Sequence, residues 1–215
     1  MAACHRDFFV RPCGGSAYIC VLTFIVMTKK ELRQKYKYLR QELLIEEIED
    51  LSLAIANRLL TLDIWDNIYF HLFLTMENQK EVHTDVILNI LAGKDKEVIV
   101  SRSDFTSCMM VHYLLTDNTK LVLNEYGIPE PVKGIEVPSN KMDVVFVPLL
   151  GFDAQGHRVG YGKGFYDRFL ADCKPGVIKI GLSFFEAEPD AIPHNDTDVV
   201  LDYCVTPERV YRFGV

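Results

Sequence analysis

The sequence predicts a single α/β domain of three layers around an open, mostly parallel central sheet. Stripes of apolar residues at helical spacing alternate with short apolar runs of strand length after residue 28. Two of these runs, residues 143–149 and 177–183, are largely apolar, which is typical of strands covered on both faces. No repeat, low-complexity tract or Gly-, Ser- or Pro-rich linker divides this part of the chain, so one domain is expected.

Two amphipathic helices are predicted to open the domain. Within residues 29–43, apolar side chains recur at intervals of four, three and four, which places them on one helical face. They are Leu32, Tyr36, Leu39 and Leu43. An adjoining flank of the same helix carries the cations Lys29, Arg33, Lys37 and Arg40. The second helix is expected over residues 47–60, where the apolar residues in register are Ile48, Leu51, Ile55 and Leu59.

The remaining elements alternate between strand and helix. Strands are predicted at residues 68–74, 97–100, 143–149, 177–183 and 203–205. Helices are predicted after Thr84 and over residues 165–173, and the first of them completes a βαβ unit with the two strands that flank it. Residues 109–115 and 120–123 are expected to pair as a hairpin.

The composition limits the function before any motif is considered. Of 215 residues, 49% are hydrophobic and 25% are charged, which is typical of a soluble globular protein. The 23 Lys and Arg against 30 Asp and Glu give a net charge of −7, the wrong sign for binding nucleic acid. The longest apolar run, residues 17–27, is shorter than the ~20 residues that a membrane-spanning helix needs. Neither nucleic acid nor a membrane is therefore an expected partner.

The first 26 residues are interpreted as an extension that precedes the functional domain at residues 27–215. The helical pattern starts abruptly at Met27, after a segment whose apolar residues show no periodicity. Half of the six cysteines, Cys4, Cys13 and Cys20, lie in this extension. The other three are scattered without the spacing of a zinc site or a disulfide framework, which favours a reducing, cytoplasmic location.

The segment after the strand at 143–149 carries the clearest signal of chemistry. It crosses a loop and enters a helix through Gly160, Gly162 and Gly164, with Lys163 between the last two. In an open α/β sheet, ligands bind outside the carboxyl ends of the strands, and the free amides of a helix N-terminus attract anions. A phosphate site is therefore expected here. The spacing departs from both the Walker A loop and the GxGxxG fingerprint, so this segment alone is also compatible with a glycine-rich surface turn.

These glycines belong to a longer motif. It consists of Arg158 and Gly160-Tyr161-Gly162-Lys163-Gly164-Phe165-Tyr166-Asp167. Further segments at residues 29–33, 126–131 and 192–198 accompany it, together with the pair Met76 and Glu81. In order and spacing, this set resembles the 5-formyltetrahydrofolate cyclo-ligases, also called methenyltetrahydrofolate synthetases. The resemblance covers residues 28–215, and it implies a fold similar to that of sugar-phosphate isomerases and CoA-transferases.

The resemblance implies an ATP-dependent ring closure that requires Mg²⁺. In this reaction, 5-formyltetrahydrofolate and ATP give 5,10-methenyltetrahydrofolate, ADP and phosphate, through a formyl group that is phosphorylated as an imidoyl phosphate. The implied partners are these two small molecules, and a monomer is favoured over an oligomer. Two other classes stay open. One is an isomerase or CoA-transferase relative that needs no ATP, and the other is a nucleotide- or folate-binding module without turnover.

The resemblance also implies a role for individual residues. Lys163 and Arg158 are the expected catalytic residues, because their charges would offset the charge that builds up on the transferred phosphoryl group. ATP is expected to contact Lys29, Lys30, Arg33, Arg158, Gly160, Tyr161, Gly162, Lys163, Gly164, Phe165 and Tyr166. The folate is expected to contact Arg33, Met76, Glu81, Tyr161, Gly162, Lys163, Gly164 and Phe165. The Mg²⁺ ion is expected at Asp167 and Asp198.

Several of these residues have a plainer interpretation. Lys29 and Arg33 could be solvated charges of a surface helix, and Glu81 could be an ordinary loop glutamate. Asp198 lies in an acidic run with three other aspartates, any of which could be a surface residue. The histidines show no metal-ligand spacing and are interpreted as structural or surface residues.

Overall fold

A computed structural model describes residues 27–214, so the extension expected at residues 1–26 lies outside the described residues. The α-helices of this range are α1 (Lys29–Glu42), α2 (Ile45–Leu59), α3 (Asp85–Gly93) and α4 (Phe165–Asp172). The strands are β1 (Tyr69–His71), β2 (Glu97–Asp104), β3 (Met109–Leu114), β4 (Leu121–Leu123), β5 (Pro129–Pro131), β6 (Val144–Pro148), β7 (Gly151–Phe152), β8 (Arg158–Val159), β9 (Ile178–Leu182), β10 (Tyr203–Val205) and β11 (Val210–Arg212). Two short 3-10 helices lie at Glu77–Gln79 and Ser139–Lys141.

A seven-stranded sheet in the order β11-β10-β9-β6-β1-β2-β3 forms the centre of the domain. Its inner strands run parallel, and β3 and β11 pair antiparallel at the two edges. Counted along the chain, the parallel strands have the spatial order 2-1-3-4-5, which reverses between β1 and β6. In doubly wound sheets, ligands bind at the carboxyl ends of the strands that flank such a reversal. The predicted α/β class with a mostly parallel sheet is confirmed.

The two faces of the sheet pack against different helices, which produces the three layers. In β6, Val144 and Phe146 join the core cluster built by α2 and α3, whereas Val145 and Val147 join the cluster built by α4. This alternation is that of a strand covered on both faces. Complete burial of a side chain such as Phe146 stabilises the fold by about 1.5–3 kcal/mol.

Helix α1 begins with a capping box and packs through its predicted apolar stripe. The Oγ1 atom of Thr28 accepts a hydrogen bond from the Glu31 amide at 3.3 Å, and the Glu31 carboxylate accepts one from the Thr28 amide at 2.8 Å. Leu32 and Tyr36 are buried in a cluster with Val159 of β8. Because this face packs against the β7-β8 ribbon, the cationic flank of α1 reaches the glycine segment that follows β8.

The hairpin predicted between residues 109–115 and 120–123 is wrong. Strand β3 pairs antiparallel with β2 along its whole length, and β4 pairs with β5. A turn at residues 105–108 joins β2 directly to β3, and the backbone of residues 135–137 bonds to the other edge of β3. Both edges of β3 are therefore occupied, and β4 pairs elsewhere.

The other predicted elements are confirmed with shifted ends. The βαβ unit of β1, α3 and β2 is parallel, with Phe70 opposite Val98, and β2 continues to Asp104. Strands β5, β7, β8 and β11 were not predicted. Each has two or three residues, so its sequence carries little periodicity, although the equally short β10 was predicted. None of the helices in the described range has the length and apolar character to span a membrane.

Candidate active site

A cavity of about 620 Å³ lies at the carboxyl ends of β1 and β6, where the strand order reverses. Its walls come from α1, the segment after β1, strand β2, residues 195–199 and the glycine loop, which is defined here as residues 158–167. All the site residues expected from the sequence line this cavity with one exception. The exception is Lys30, which is exposed on α1 outside the cavity.

The glycine loop requires glycine at two positions. Gly162 has a φ of +94° and Gly164 a φ of +71°, both in the left-handed region that other residues rarely adopt. A Cβ atom at Gly162 would lie 3.1 Å from Cζ of Arg33, and Nε of Arg33 donates a hydrogen bond to the Gly160 carbonyl at 2.9 Å. The loop is thus folded closely against the Arg33 guanidinium. Helix α4 begins directly after Gly164, which places its partial positive charge at the cavity wall.

The cations of the cavity differ in how firmly they are held. Lys29 Nζ forms an ion pair with Asp198 at 2.5 Å. The Arg158 side chain is only 7% exposed, and it pairs with Asp167 at 2.6 Å. Lys163 is exposed, and its ammonium forms no ion pair with any residue in the range 27–214. Lys163 can therefore move to an anionic ligand without breaking an existing ion pair.

The two carboxylates expected to bind Mg²⁺ reach the cavity from different elements. Asp167, in the first turn of α4, uses Oδ1 to accept hydrogen bonds from Arg158 and from a backbone amide. Asp198 uses Oδ2 to accept from Lys29 and from the Asn195 amide. Burial acts to raise the pKa of Asp198, but Lys29 and the Asn195 amide outweigh it, so the pKa lies below its ordinary value.

This pair of carboxylates suits a metal that arrives with its ligand. Within the described residues, the second oxygen of Asp167 and of Asp198 accepts no hydrogen bond. In the same part of the chain, no three His, Cys, Asp or Glu side chains come together as a metal cluster. Mg²⁺ takes one or two protein carboxylates and fills its octahedron with water and phosphate oxygens. The residues therefore fit Mg²⁺ bound together with a phosphate ester.

Glu81 of the cavity wall and Arg40 behind it form a second set of polar side chains, and both are buried. Glu81 is 2% exposed, and its two oxygens accept from the Tyr161 hydroxyl at 2.6 Å and from the Met76 amide at 3.0 Å. Arg40 of α1, 3% exposed, donates to the same hydroxyl at 2.9 Å. Burial raises the pKa of Glu81, and the charge of Arg40 acts in the opposite direction. Burial and the Glu81 charge also raise the pKa of Tyr161, so its hydroxyl stays protonated.

Two of the histidines are buried beside the cavity and were not expected there. His71 of β1 lines the cavity, and the Ser101 hydroxyl lies 2.7 Å from its ring and 2.7 Å from the ring of His112. Burial holds the pKa of His71 well below its ordinary value and lowers the pKa of His112 to about 4. Both rings are therefore neutral at pH 7, and His71 with Ser101 forms a polar, uncharged part of the wall. The signal in the sequence is the position of His71 inside an apolar run.

Phe105, which joins the expected Phe165 and Tyr126 in an aromatic wall, was also missed, as was a further lysine. Phe105 packs on Tyr126 with ring centroids 4.3 Å apart and meets Phe165 edge-on at 5.2 Å. Lys37 Nζ lies 5.6 Å from the centroid of the Tyr161 ring. The spacing of Lys37 on the cationic flank of α1 was a usable signal. Phe105 offered none, because a single aromatic residue in a turn has no pattern.

The protein is thus of the doubly wound α/β class, with one cavity at the strand reversal. One side of this cavity carries the glycine loop and several cations, and the other side carries the buried Glu81. The model of the 5-formyltetrahydrofolate cyclo-ligase family matches residues 26–207. The chain belongs to this family, as the motifs predicted.

Similar proteins extend over most of the chain. The 5-formyltetrahydrofolate cyclo-ligase of Mus musculus is 30% identical over 188 residues, which are 81% of this chain and 91% of the mouse protein. The NMR structure of the 5,10-methenyltetrahydrofolate synthetase of Aquifex aeolicus has a TM-score of 0.70 at 28% identity and covers 88% of this chain and 94% of its own. The synthetase of Mycoplasma pneumoniae, with a TM-score of 0.64 at 21% identity, covers 84% of this chain and 99% of its own and shares the fold.

Proposed function

We propose that the chain catalyses the ATP-dependent conversion of 5-formyltetrahydrofolate to 5,10-methenyltetrahydrofolate, with release of ADP and phosphate. The chain is a member of this family, and one observation in particular supports the proposal: its cavity has two halves with different side chains. The charged half consists of Lys29, Arg33, Arg158, Lys163, Asp167 and Asp198. The buried half consists of Met76, Glu81 and Tyr161. The first suits a polyphosphate and the second suits a pterin.

The proposed reaction moves one oxygen from carbon to phosphorus. The formyl oxygen attacks the γ-phosphorus of ATP, and the bond to the oxygen that bridges the β- and γ-phosphates breaks. N10 then attacks the carbon of the resulting imidoyl phosphate, phosphate departs with the former formyl oxygen, and N10 loses its proton. Phosphorylation is required because an unmodified formyl oxygen is a poor leaving group.

In the charged half, Lys163 and Arg158 are the proposed catalytic residues. Lys163 is exposed and unpaired among the described residues, so its charge can follow the transferred phosphoryl group. Arg158 is held by Asp167 and offers a fixed charge. Arg33 lies against Gly160 and Gly162, where it can contact both ligands.

The ATP contacts proposed for the backbone follow from the loop geometry. Positive φ angles at Gly162 and Gly164 allow the chain to approach a phosphate closely, and the N-terminus of α4 supplies free amides. Lys30 is exposed on α1 outside the cavity, so its ammonium is not proposed to contact ATP.

In the buried half, Glu81 is proposed to accept hydrogen bonds from the amino group and ring N–H of the pterin. Each carboxylate oxygen of Glu81 already accepts one hydrogen bond, which leaves a second lone pair on each. Met76 supplies an adaptable apolar contact beside it. Because the carboxylate is held before the ligand arrives, little ordering is required on binding.

The proposal assigns Mg²⁺ to Asp167 and Asp198, each through the oxygen that accepts no hydrogen bond from the described residues. When bound, Mg²⁺ neutralises charge on the β- and γ-phosphates. The cations of the charged half orient those phosphates.

The function is proposed to reside in residues 27–215, with residues 1–26 as an extension, in a cytoplasmic monomer that uses ATP as co-substrate. The family match at residues 26–207 supports this division. A shortened chain that begins at Met27 is therefore expected to turn over as fast as the full chain. A large loss of activity would show that the extension takes part.

The experiment that tests the proposal combines the full chain with 5-formyltetrahydrofolate and Mg-ATP. The expected result is the absorbance of the methenyl product together with one ADP for each product formed. Product without ATP would indicate an isomerase-like or transferase-like reaction, and binding of both ligands without product would indicate a binding module. Either result would overturn the proposal.

A further inference from the structure

We propose that Arg40 is a positioning residue for the buried half. Arg40 holds the Tyr161 hydroxyl, which in turn holds the Glu81 carboxylate ready to accept hydrogen bonds from the pterin. This inference deepens the proposed function and rests on it. Arg40 does not line the cavity, so it acts through Tyr161 rather than by touching a ligand.

The Arg40 guanidinium connects three parts of the fold. It projects from α1, donates through Nη1 to the Tyr161 hydroxyl at 2.9 Å, and donates through Nη2 to the Leu149 carbonyl at the end of β6. Its Nε is buried without a hydrogen-bond partner among residues 27–214. The two terminal nitrogens therefore fix the guanidinium between the sheet and the glycine loop.

The link continues from Tyr161 to Glu81. The Tyr161 hydroxyl accepts from Arg40 and donates to Glu81 Oε1 at 2.6 Å, so the arginine charge polarises the donor to the carboxylate. Arg40 and Glu81 form no direct ion pair. The titratable groups that act on Glu81 are Arg40 from α1 and Tyr161 from the glycine loop, while Tyr166 feels its charge.

Arg40 and Tyr161 influence whether the buried Glu81 carboxylate is ionised or neutral. Burial favours the neutral acid, and Arg40 is the cation that opposes it. A protonated Glu81 would present a donor where the pterin N–H groups require an acceptor. Removal of the Arg40 charge is therefore expected to weaken folate binding first and ATP binding much less.

Charge and hydrogen bonding at Arg40 can be separated by a matched pair of variants. Arg40→Gln keeps a donor and removes the charge, whereas Arg40→Lys keeps the charge. The expected result for Arg40→Gln is a KM for folate raised about 10-fold, a KM for ATP within about twofold of wild type, and an acidic limb of kcat/KM for folate that moves to higher pH. In Arg40→Lys, the acidic limb of kcat/KM for folate is expected to lie close to its wild-type pH. Arg58→Gln is the control, because Arg58 bonds to the Pro207 carbonyl outside the cavity.

A second measurement does not depend on turnover. Carbon-13 NMR of the Glu81 carboxyl carbon, assigned with Glu81→Gln, should show a titration midpoint at higher pH in Arg40→Gln than in wild type. Arg40→Met serves as a second uncharged variant if the glutamine is not tolerated. An unchanged midpoint in a folded uncharged variant would overturn the role of Arg40. A shifted midpoint in a chain that makes no methenyl product would instead refute the proposed function, and it would leave only the electrostatic effect of Arg40 on Glu81.

Discussion

The charged half and the buried half of the cavity differ in how exposed their polar side chains are, although Arg158 of the charged half is itself largely buried. In the charged half, Lys163 is exposed and unpaired among the described residues, and the Lys29–Asp198 pair is partly exposed. In the buried half, Glu81 and Arg40 are almost fully buried and are joined through one hydroxyl. A nucleotide that must leave after each turnover suits cations that water can replace. A flat ring that must be oriented suits hydrogen-bond partners already in place.

The largest expected effect comes from removing the Lys163 cation. Lys163→Ala should lower kcat about 100-fold at saturating ATP, because the lost charge acts on the phosphoryl group in the transition state. Steady-state kinetics with both substrates measures it. Lys30→Ala is the matched control, since Lys30 is exposed outside the cavity, and it should stay within about twofold of wild type. Full activity in Lys163→Ala would remove the catalytic role from this lysine.

The next effect concerns the metal. Asp198→Asn should raise the Mg²⁺ concentration needed for half-maximal rate about 10- to 30-fold, because an amide oxygen binds Mg²⁺ more weakly than a carboxylate. A Mg²⁺ titration at fixed ATP reports it. Asp190→Asn is the control, as an exposed member of the same acidic run that does not line the cavity. If both variants have the wild-type Mg²⁺ requirement, Asp198 is not a ligand.

A change in the buried half should separate binding from stability. Glu81→Gln is expected to raise the KM for folate about 10-fold and to leave the KM for ATP nearly unchanged. Because burial raises the pKa of Glu81 in the folded chain, its contribution to stability is largest below the unfolded pKa and is lost as the pH rises through the folded pKa.

Glu81 therefore contributes less to stability at pH 7 than at pH 5. Compared with wild type at the same pH, Glu81→Gln should be relatively more stable at pH 7 than at pH 5, although its folate binding is weaker. Thermal unfolding at pH 5 and pH 7 tests this sign. A variant that loses stability more at pH 7 than at pH 5 would show that the ionised carboxylate stabilises the fold.

The smallest effect is conformational. Gly162→Ala should lower the free energy of unfolding by about 1–2 kcal/mol, because the position has a φ of +94° and the new Cβ meets Arg33. Gly160→Ala is the matched control, since a Cβ there meets no atom within 4 Å. Denaturant unfolding compares the two. Equal stability would mean that the loop rearranges without cost.

Much of the fold followed from the sequence because its signals are local. The stripe of α1 and the apolar run of β6 each reflect one periodicity, and both elements are present. The β2-β3 pairing did not follow, because the choice between β2 and β4 as partner of β3 depends on which edges are already occupied. Short strands such as β7 and β8 pair with each other, and Val159 of β8 packs on Leu32 and Tyr36 of α1, contacts that the sequence does not reveal.

The site residues also divide into those that local sequence signals predict and those that only the tertiary structure reveals. Lys163 and Asp167 lie in one continuous motif, so the charged half was accessible from the sequence. Arg40 was placed on the cationic flank of α1 with three other cations, and nothing in that spacing distinguishes the one that is buried. Its burial depends on Tyr161, which is 121 residues away along the chain. Contacts of this kind come only from the tertiary structure.

The ligands proposed for the two halves react with each other in one step, the transfer of the γ-phosphoryl group of ATP to the formyl oxygen of the folate. The most direct test uses 5-formyltetrahydrofolate labelled with oxygen-18 in the formyl group, together with unlabelled Mg-ATP in unlabelled water. Mass spectrometry of the released phosphate should find one labelled oxygen in each phosphate that accompanies methenyl product. Phosphate without label would contradict the account, because ATP would then have been hydrolysed by water rather than attacked by the folate.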